Sequence, residues 1–310
     1  MYRIPVFFTQ RMVAEQQGLS PSASKPGLVV RSWQAMRAPI ELLEPAAATR
    51  SELCLAHDPA YVDAVLRGHV ANDFGTNCFQ IARSMIFTVG AMIGAVRYAA
   101  MNGGVAVAPC AGFNRAGYAG GRCECTFNAA AIAAEVVHRS GHAQRIGIVD
   151  FDLESADGTR DVLSRTGYGA HVALYSAGFE YCRREQAAEF LRRVPEIVRG
   201  MRDCDLLIYQ AGVNVHEHDA AGGWMTSEEI AERDRLVFET AIELGLPVAW
   251  NLAGGCQRDP NGTIRPVLDL HDNTMRACVD AYLLRGVAPQ PVGSHHDLRV
   301  ASARASRVVG

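Results

Sequence analysis

Four short apolar runs recur along the chain, Val105 to Ala108, Arg145 to Val149, Leu206 to Tyr209 and Pro247 to Trp250. Their near-continuous apolarity predicts strands buried on both faces, as in a parallel sheet. Helical periodicity fills the intervals. Thr226 and Glu229 form a capping box ahead of Ile230, Leu236, Val237, Ile242 and Leu244, and Gly245 supplies a stop. The uncharged stretch from Ser84 to Val96, closed by Arg97, is too short to span a bilayer and predicts a buried helix. The pattern is that of an α/β fold, a single domain with a mostly parallel central sheet flanked by helices, over residues 1–286. After Gly286 the periodicity stops among Pro289, Pro291, Gly293 and Ser294. Residues 287–310 are therefore expected to be a tail or an oligomer arm, with His295 and His296 solvated.

Each predicted strand is followed within a few residues by a polar or glycine-rich cluster. Ligand sites of open α/β sheets lie outside the carboxyl ends of the strands, so these clusters are expected to share one crevice. The densest cluster follows Val149, where Asp150, Asp152 and Glu154 occupy every second position. In extended backbone such residues share a face and can converge on one point.

The stretch from Ile148 to Thr159 resembles the zinc loop of the histone deacetylase and acetylpolyamine amidohydrolase family, Asp-x-Asp-x-His-x-Gly-x-Gly-Thr. Glu154 stands at the zinc-binding His and Ala156 at the first glycine. Gly112-Phe113-Asn114-Arg115-Ala116 is similar to the family's Gly-Phe-His-His-Ala, with Asn114 and Arg115 in place of the proton-handling histidines. Arg122-Cys123-Glu124-Cys125-Thr126-Phe127-Asn128 resembles Gly-Gly-Phe-Cys-Thr-Phe-Asn, and Glu124 stands at the channel-lining Phe. Tyr209 to His216 resembles Tyr-Gln-Ala-Gly-x-Asp-x-His, with Asn214 at the third zinc ligand. Asn251 to Gln257 matches Asn-Leu-Ala-Gly-Gly-Tyr-Gln, and Cys256 replaces the Tyr that polarises the scissile carbonyl. His57 to Val62 and Glu232 to Phe238 extend the match, which runs to about Leu284.

The resemblance implies the arginase/deacetylase fold, in a bacterial deacetylase-like branch. It also implies that the family's chemistry has changed, because only Asp152 of its three zinc ligands remains. Asp152, Glu154 and Asn214 offer oxygen alone, a set suited to Mg, Mn or Ca rather than zinc, so no catalytic zinc is expected. The family residue matching Asp150 helps hold a structural monovalent cation, which implies a K+ site at Asp150, Asp152 and Ser176. His216 and His218 have metal-like spacing, but the family's matching His is not its zinc ligand. Glu124, Asp152 and Glu154 in a partly desolvated crevice need a neutralising group. Arg115 is the expected partner of Asp152 and Glu154, with its alternative a solvent-facing loop arginine.

Two readings stay open. The first is a pseudo-deacetylase, a non-catalytic or non-deacetylase protein that binds a small polar ligand or metabolite at Asp152, Glu154, Asn214, Gly254 and Gly255, or that serves as a subunit beside other proteins. The second is a repurposed metal-independent or non-zinc enzyme, a hydrolase, lyase or condensing activity, built on Arg115, Glu124 and Glu154, with or without Cys256, among the altered catalytic positions Asn114, Arg115, Glu124 and Cys256. Cys256 is there either a nucleophile or an inert filler of the tyrosine's space. Residual amidohydrolase activity with an oxygen-ligated metal is a third.

At 310 residues, 49% of them hydrophobic, the chain can build one sizeable core. A net charge of -3 gives no electrostatic reason to expect nucleic acid, and no membrane is expected as a partner, whereas a homo-oligomer is compatible with the tail. Nine cysteines, an odd number without a secretory signal, point to thiols in a reducing cytoplasm. Cys123 and Cys125 fit that bland reading, since the family has a Cys at position 125.

Overall fold

The computed structural model describes residues 2–14, 21–72, 79–111 and 113–284. The expected tail at 287–310, with its two histidines, lies outside the described residues, as does Gly112. In chain order the elements are β1 (Ile4–Phe7), α1 (Lys25–Ala35), β2 (Ile40–Leu43), α2 (Arg50–Leu53), α3 (Pro59–Leu66), α4 (Phe79–Asn102) and β3 (Val105–Ala108). There follow α5 (Ala129–Arg139), β4 (Ile146–Asp150), α6 (Asp157–Thr166), β5 (Val172–Ser176), α7 (Ala187–Arg199) and β6 (Leu206–Gly212). The last are α8 (Ser227–Glu243), β7 (Val248–Ala253), α9 (Arg265–Val279) and a π-helical turn at Asp280–Leu284.

The strands form one seven-stranded sheet in the order β2-β1-β3-β7-β6-β4-β5. Every pairing is parallel. Alternate strand residues feed two cores. Ala106, Ile148 and Ile208 face α4, α5 and α6, while Val107, Val149 and Tyr209 face α1, α7, α8 and α9. This is the period of two acting on both faces of a covered sheet.

The four predicted strands are present; β3 has the predicted bounds, and the other three extend further at their carboxyl ends. β6 runs on through Gln210, Ala211 and Gly212, and β7 through Asn251, Leu252 and Ala253. The ladder continues past the apolar run because Gln210 and Asn251 pair in register with each other. The buried helix expected from Ser84 to Val96 is α4, which is longer, at 24 residues. By length and composition it could cross a membrane, but here it is a core helix, with Ala91, Met92, Ala95 and Val96 fully or nearly fully buried. Arg97, read as a boundary, faces solvent within it. Thr226 caps α8 as expected, accepting from Glu229 N–H, and Gly245 follows it at φ 63°. Every cysteine among the described residues is a free thiol.

Candidate functional site

Register places a row of polar side chains across the carboxyl ends of the strands. Ser176 of β5 pairs with Asp150 of β4, Asp150 with Gln210 of β6, and Gln210 with Asn251 of β7. All four are buried, at most 4% exposed. The loops that leave this row carry the altered family positions, which therefore gather at the carboxyl ends of the strands.

Asp150 Oδ1 accepts the Asp152 N–H at 2.9 Å, while its Oδ2 is buried without a hydrogen bond. Burial, and then the charge of Asp152, push Asp150 well above the usual carboxylate range. The amides of Asn114 and Gln210 offset part of that shift. Asp152 Oδ1 accepts from Leu153 N–H at 2.7 Å. Burial first, and Glu154 next, push Asp152 up to about 7. Carboxylates held this close in a dry site cannot all ionise.

Asn214 and Glu154 bond to each other. Asn214 Nδ2 donates to Glu154 Oε2 at 3.0 Å, and its Oδ1 accepts from Leu153 N–H at 3.1 Å. Asn114 adds a bond from Nδ2 to the Glu154 carbonyl at 3.2 Å. Ser176 Oγ accepts from Ala156 N–H at 3.0 Å. Two close approaches hold the loops together. A Cβ on Gly212 would lie 2.5 Å from Asp152 Cα and 2.7 Å from Phe151 O, and one on Gly254, at φ 56°, would lie 2.4 Å from Asn214 Cγ. Gly212→Ala is expected to lose about 1–3 kcal/mol through overpacking. Thermal unfolding measures this, and a variant as stable as wild type would mean that the strand ends yield freely.

The cation of the crevice is Lys25. It is fully buried at the start of α1, and its Nζ donates to the Gly254 carbonyl. Burial lowers it to about 8, against the raising influence of Cys256, Asp152, Asp219 and Cys110. Asp219 stabilises the turn from the other side, its Oδ2 accepting from Cys256 N–H at 2.7 Å and Gln257 N–H at 3.2 Å. Gly255 continues the turn at φ 93°. The Cys256 thiol is pushed up to about 11 by burial and then by Asp219, so it is protonated at neutral pH, which weighs against a nucleophilic thiolate.

Arg115 does not pair with Asp152 or Glu154. Its Nη1 lies 3.3 Å from Asp157 Oδ1 and donates to the Ser155 carbonyl at 3.4 Å. Asp157, on the first turn of α6, also binds Arg122 at 2.7 Å and is more exposed than Asp152. A rim pair of this kind avoids most of the desolvation a buried pair would cost. Glu124 sits on an unusual turn. Cys123 and Glu124 have φ of 50° and 60°, closed by hydrogen bonds between Arg122 and Cys125. Left-handed non-glycine residues cost about 1–2 kcal/mol each, and here they turn Glu124 towards Cys256, whose thiol feels its charge. His216 meets Ser227 Oγ through Nε2 and the His218 N–H through Nδ1, a structural arrangement.

The histone deacetylase domain family matches residues 23–179, about half of the chain. The chain belongs to that family. An uncharacterised protein of Picosynechococcus sp. is 27% identical over 271 residues, covering 79% of this chain and 87% of that protein. Two solved structures share the fold. The HD domain of HDA15 superposes with a TM-score of 0.71 at 17% identity, over 90% of this chain and 93% of that one. The acetylpolyamine aminohydrolase from Burkholderia pseudomallei does so at 0.65 and 17%, over 90% and 99%.

Lys25 escaped the motif reading because it lies in none of the family motifs recognised in the sequence, although it falls within the residues the family model matches. The signal was nonetheless there, since it is the single lysine of the chain, every other one of the 30 Lys and Arg residues being Arg.

Proposed function

We propose that this deacetylase-family crevice is a zinc-free pocket for a small polar ligand, with the Lys25 ammonium supplying the positive charge among its acids. The observation that carries the reading is the Asn214 to Glu154 hydrogen bond. It joins two family zinc positions to each other and turns an amide N–H2, which cannot ligate, towards the carboxylate. The donor set does not fit zinc, since Asp152, Glu154 and Asn214 include neither nitrogen nor sulfur ligands. Lys25 and Asp152 are buried, whereas Glu124, Glu154 and Cys256 are half-buried, which supports a ligand approaching from the side of the latter three. A monovalent cation is a different matter. Asp150 and Ser176 lie side by side in register, and the unpartnered Asp150 Oδ2 is a buried oxygen that such an ion would satisfy.

Protein purified without added metal is expected to carry well under one zinc per chain by elemental analysis. It is also expected to release no acetate above background from acetyl-lysine or acetylated polyamines, because general acid-base groups contribute about 10²–10⁴-fold and the positions that supply them hold Asn114, Arg115 and Cys256. One zinc per chain, lost on Asp152→Ala, would overturn the reading.

A further inference from the structure

We infer that Lys25 is a covalent site, an amine that forms an imine with a small aldehyde carrying no negative charge. The inference rests on the reading of the crevice as zinc-free, and its first support is placement. The only side-chain amine of the chain is fully buried against the Gly254 carbonyl, beside the turn that carries Cys256, in a protein whose other long cations are all arginine. An arginine there would keep the charge but could not act as a nucleophile, because its guanidinium does not lose its proton.

The second support is how weakly the amine is held. An ammonium has three donors, yet the hydrogen bond formed goes to a neutral carbonyl, that of Gly254. No ion pair within 4.0 Å joins Lys25 to a carboxylate among the described residues. It also begins α1, where the helix dipole opposes a cation. The groups facing it are Asp152, Asp219, Cys256, Cys110 and, from α9, His271. His271 is fully buried with neither ring nitrogen hydrogen-bonded, and is held neutral by burial and then by Lys25 and Arg233. These conditions raise the share of free amine at neutral pH, while the ammonium remains the larger fraction. Lysines desolvated in this way are the ones that act in Schiff-base chemistry.

The step balances without an oxidant or reductant. The Lys25 Nζ lone pair adds to the carbonyl carbon as the C=O π pair moves to oxygen. A proton passes from nitrogen to oxygen, giving a carbinolamine. The hydroxyl takes up a second proton and the C–O bond breaks as water leaves, while the nitrogen lone pair completes the C=N bond and the remaining N–H proton passes to solvent. Asp152 and Asp219 act on the charge of Lys25, and Glu124 and Glu154 act on the neighbouring Cys256, so a carbonyl compound that bears a carboxylate is repelled.

Reductive trapping tests this directly. The full chain is incubated with glycolaldehyde and cyanoborohydride at about pH 7.5, folded and in urea, and Lys25 modification is followed by peptide mapping. Lowering the amine from 10.5 to about 8 raises its reactive fraction by about 10²-fold, so Lys25 is expected to label at least about tenfold faster in the folded chain. Glyoxylate is expected to label it more slowly than glycolaldehyde. Lys25→Arg leaves the chain's α-amino group as the remaining amine, and its adduct at position 25 disappears. Slower labelling folded than unfolded would make Lys25 a protected structural amine and overturn the inference, and equal labelling by glyoxylate would overturn the charge selection. Zinc content measured on the same preparation keeps the two readings apart. Stoichiometric zinc defeats the zinc-free pocket, whereas a protected Lys25 in zinc-free protein defeats the imine alone.

Discussion

Arg233→Met is expected to lower stability by about 3–5 kcal/mol, because it leaves a buried carboxylate without its cation. Arg233 and Asp234 are both fully buried and ion-paired at 2.7 Å. Asp234 Oδ1 also accepts from the Tyr209 hydroxyl, and its Oδ2 from Thr274 Oγ1 at 2.6 Å. Arg233 Nη1 reaches the carbonyls of Gly212 at 2.7 Å and Phe151 at 3.2 Å. Those carbonyls close β6 and directly precede Asp152, so one guanidinium ties together the two strand ends that carry Asp152 and Asn214. Arg233→Lys keeps the charge but replaces a planar fork with a point donor, and should lose an intermediate amount. Thermal and urea unfolding of wild type and both variants measures the order. A Met variant within about 0.5 kcal/mol of wild type, the range of surface substitutions, would mean that the network relaxes without it.

The central strands were legible because burial on both faces leaves a continuous apolar run, as at Val105 to Ala108. β1 and β2 were not. Each is four residues long, and in β2 only Ile40 is buried, so an edge strand shows no pattern over its length. The strand ends were underestimated at Gln210 and Asn251, where buried polar residues sit inside the ladder. Motif resemblance brought Asp150, Asp152, Glu154 and Asn214 together correctly. It failed for Arg115, since a one-dimensional comparison does not show that Asp157 on the rim competes for the guanidinium at a lower desolvation cost. Lys25 depends on a turn 229 residues away, a contact that no local pattern encodes.

Asp152→Asn is expected to stabilise the protein at pH 8 and to leave it unchanged near pH 4. The Asp152 carboxyl is raised from 3.8 to about 7 by burial and by Glu154. Between those values the folded chain holds a proton that the unfolded chain has released, so stability falls as pH rises through this window, and the penalty is fully present above about 7. Asparagine mimics the protonated carboxyl and carries no such penalty. A shift of about three units corresponds to about 4 kcal/mol, and about 2–4 kcal/mol is the gain expected at pH 8. Asp150 is pushed above the usual carboxylate range by burial and then by the charge of Asp152, so removing that charge relieves Asp150 in the same direction. Lys25 contributes with the opposite slope, since its lowered value makes stability rise between about 8 and 10.5, above the window in question. Melting temperatures of wild type and variant from pH 4 to pH 8, in buffer free of divalent ions, decide the matter. A difference that stays constant with pH, or a variant less stable at pH 8, would show that Asp152 is held ionised by its surroundings, and the crevice would then need a stronger cation than Lys25 alone.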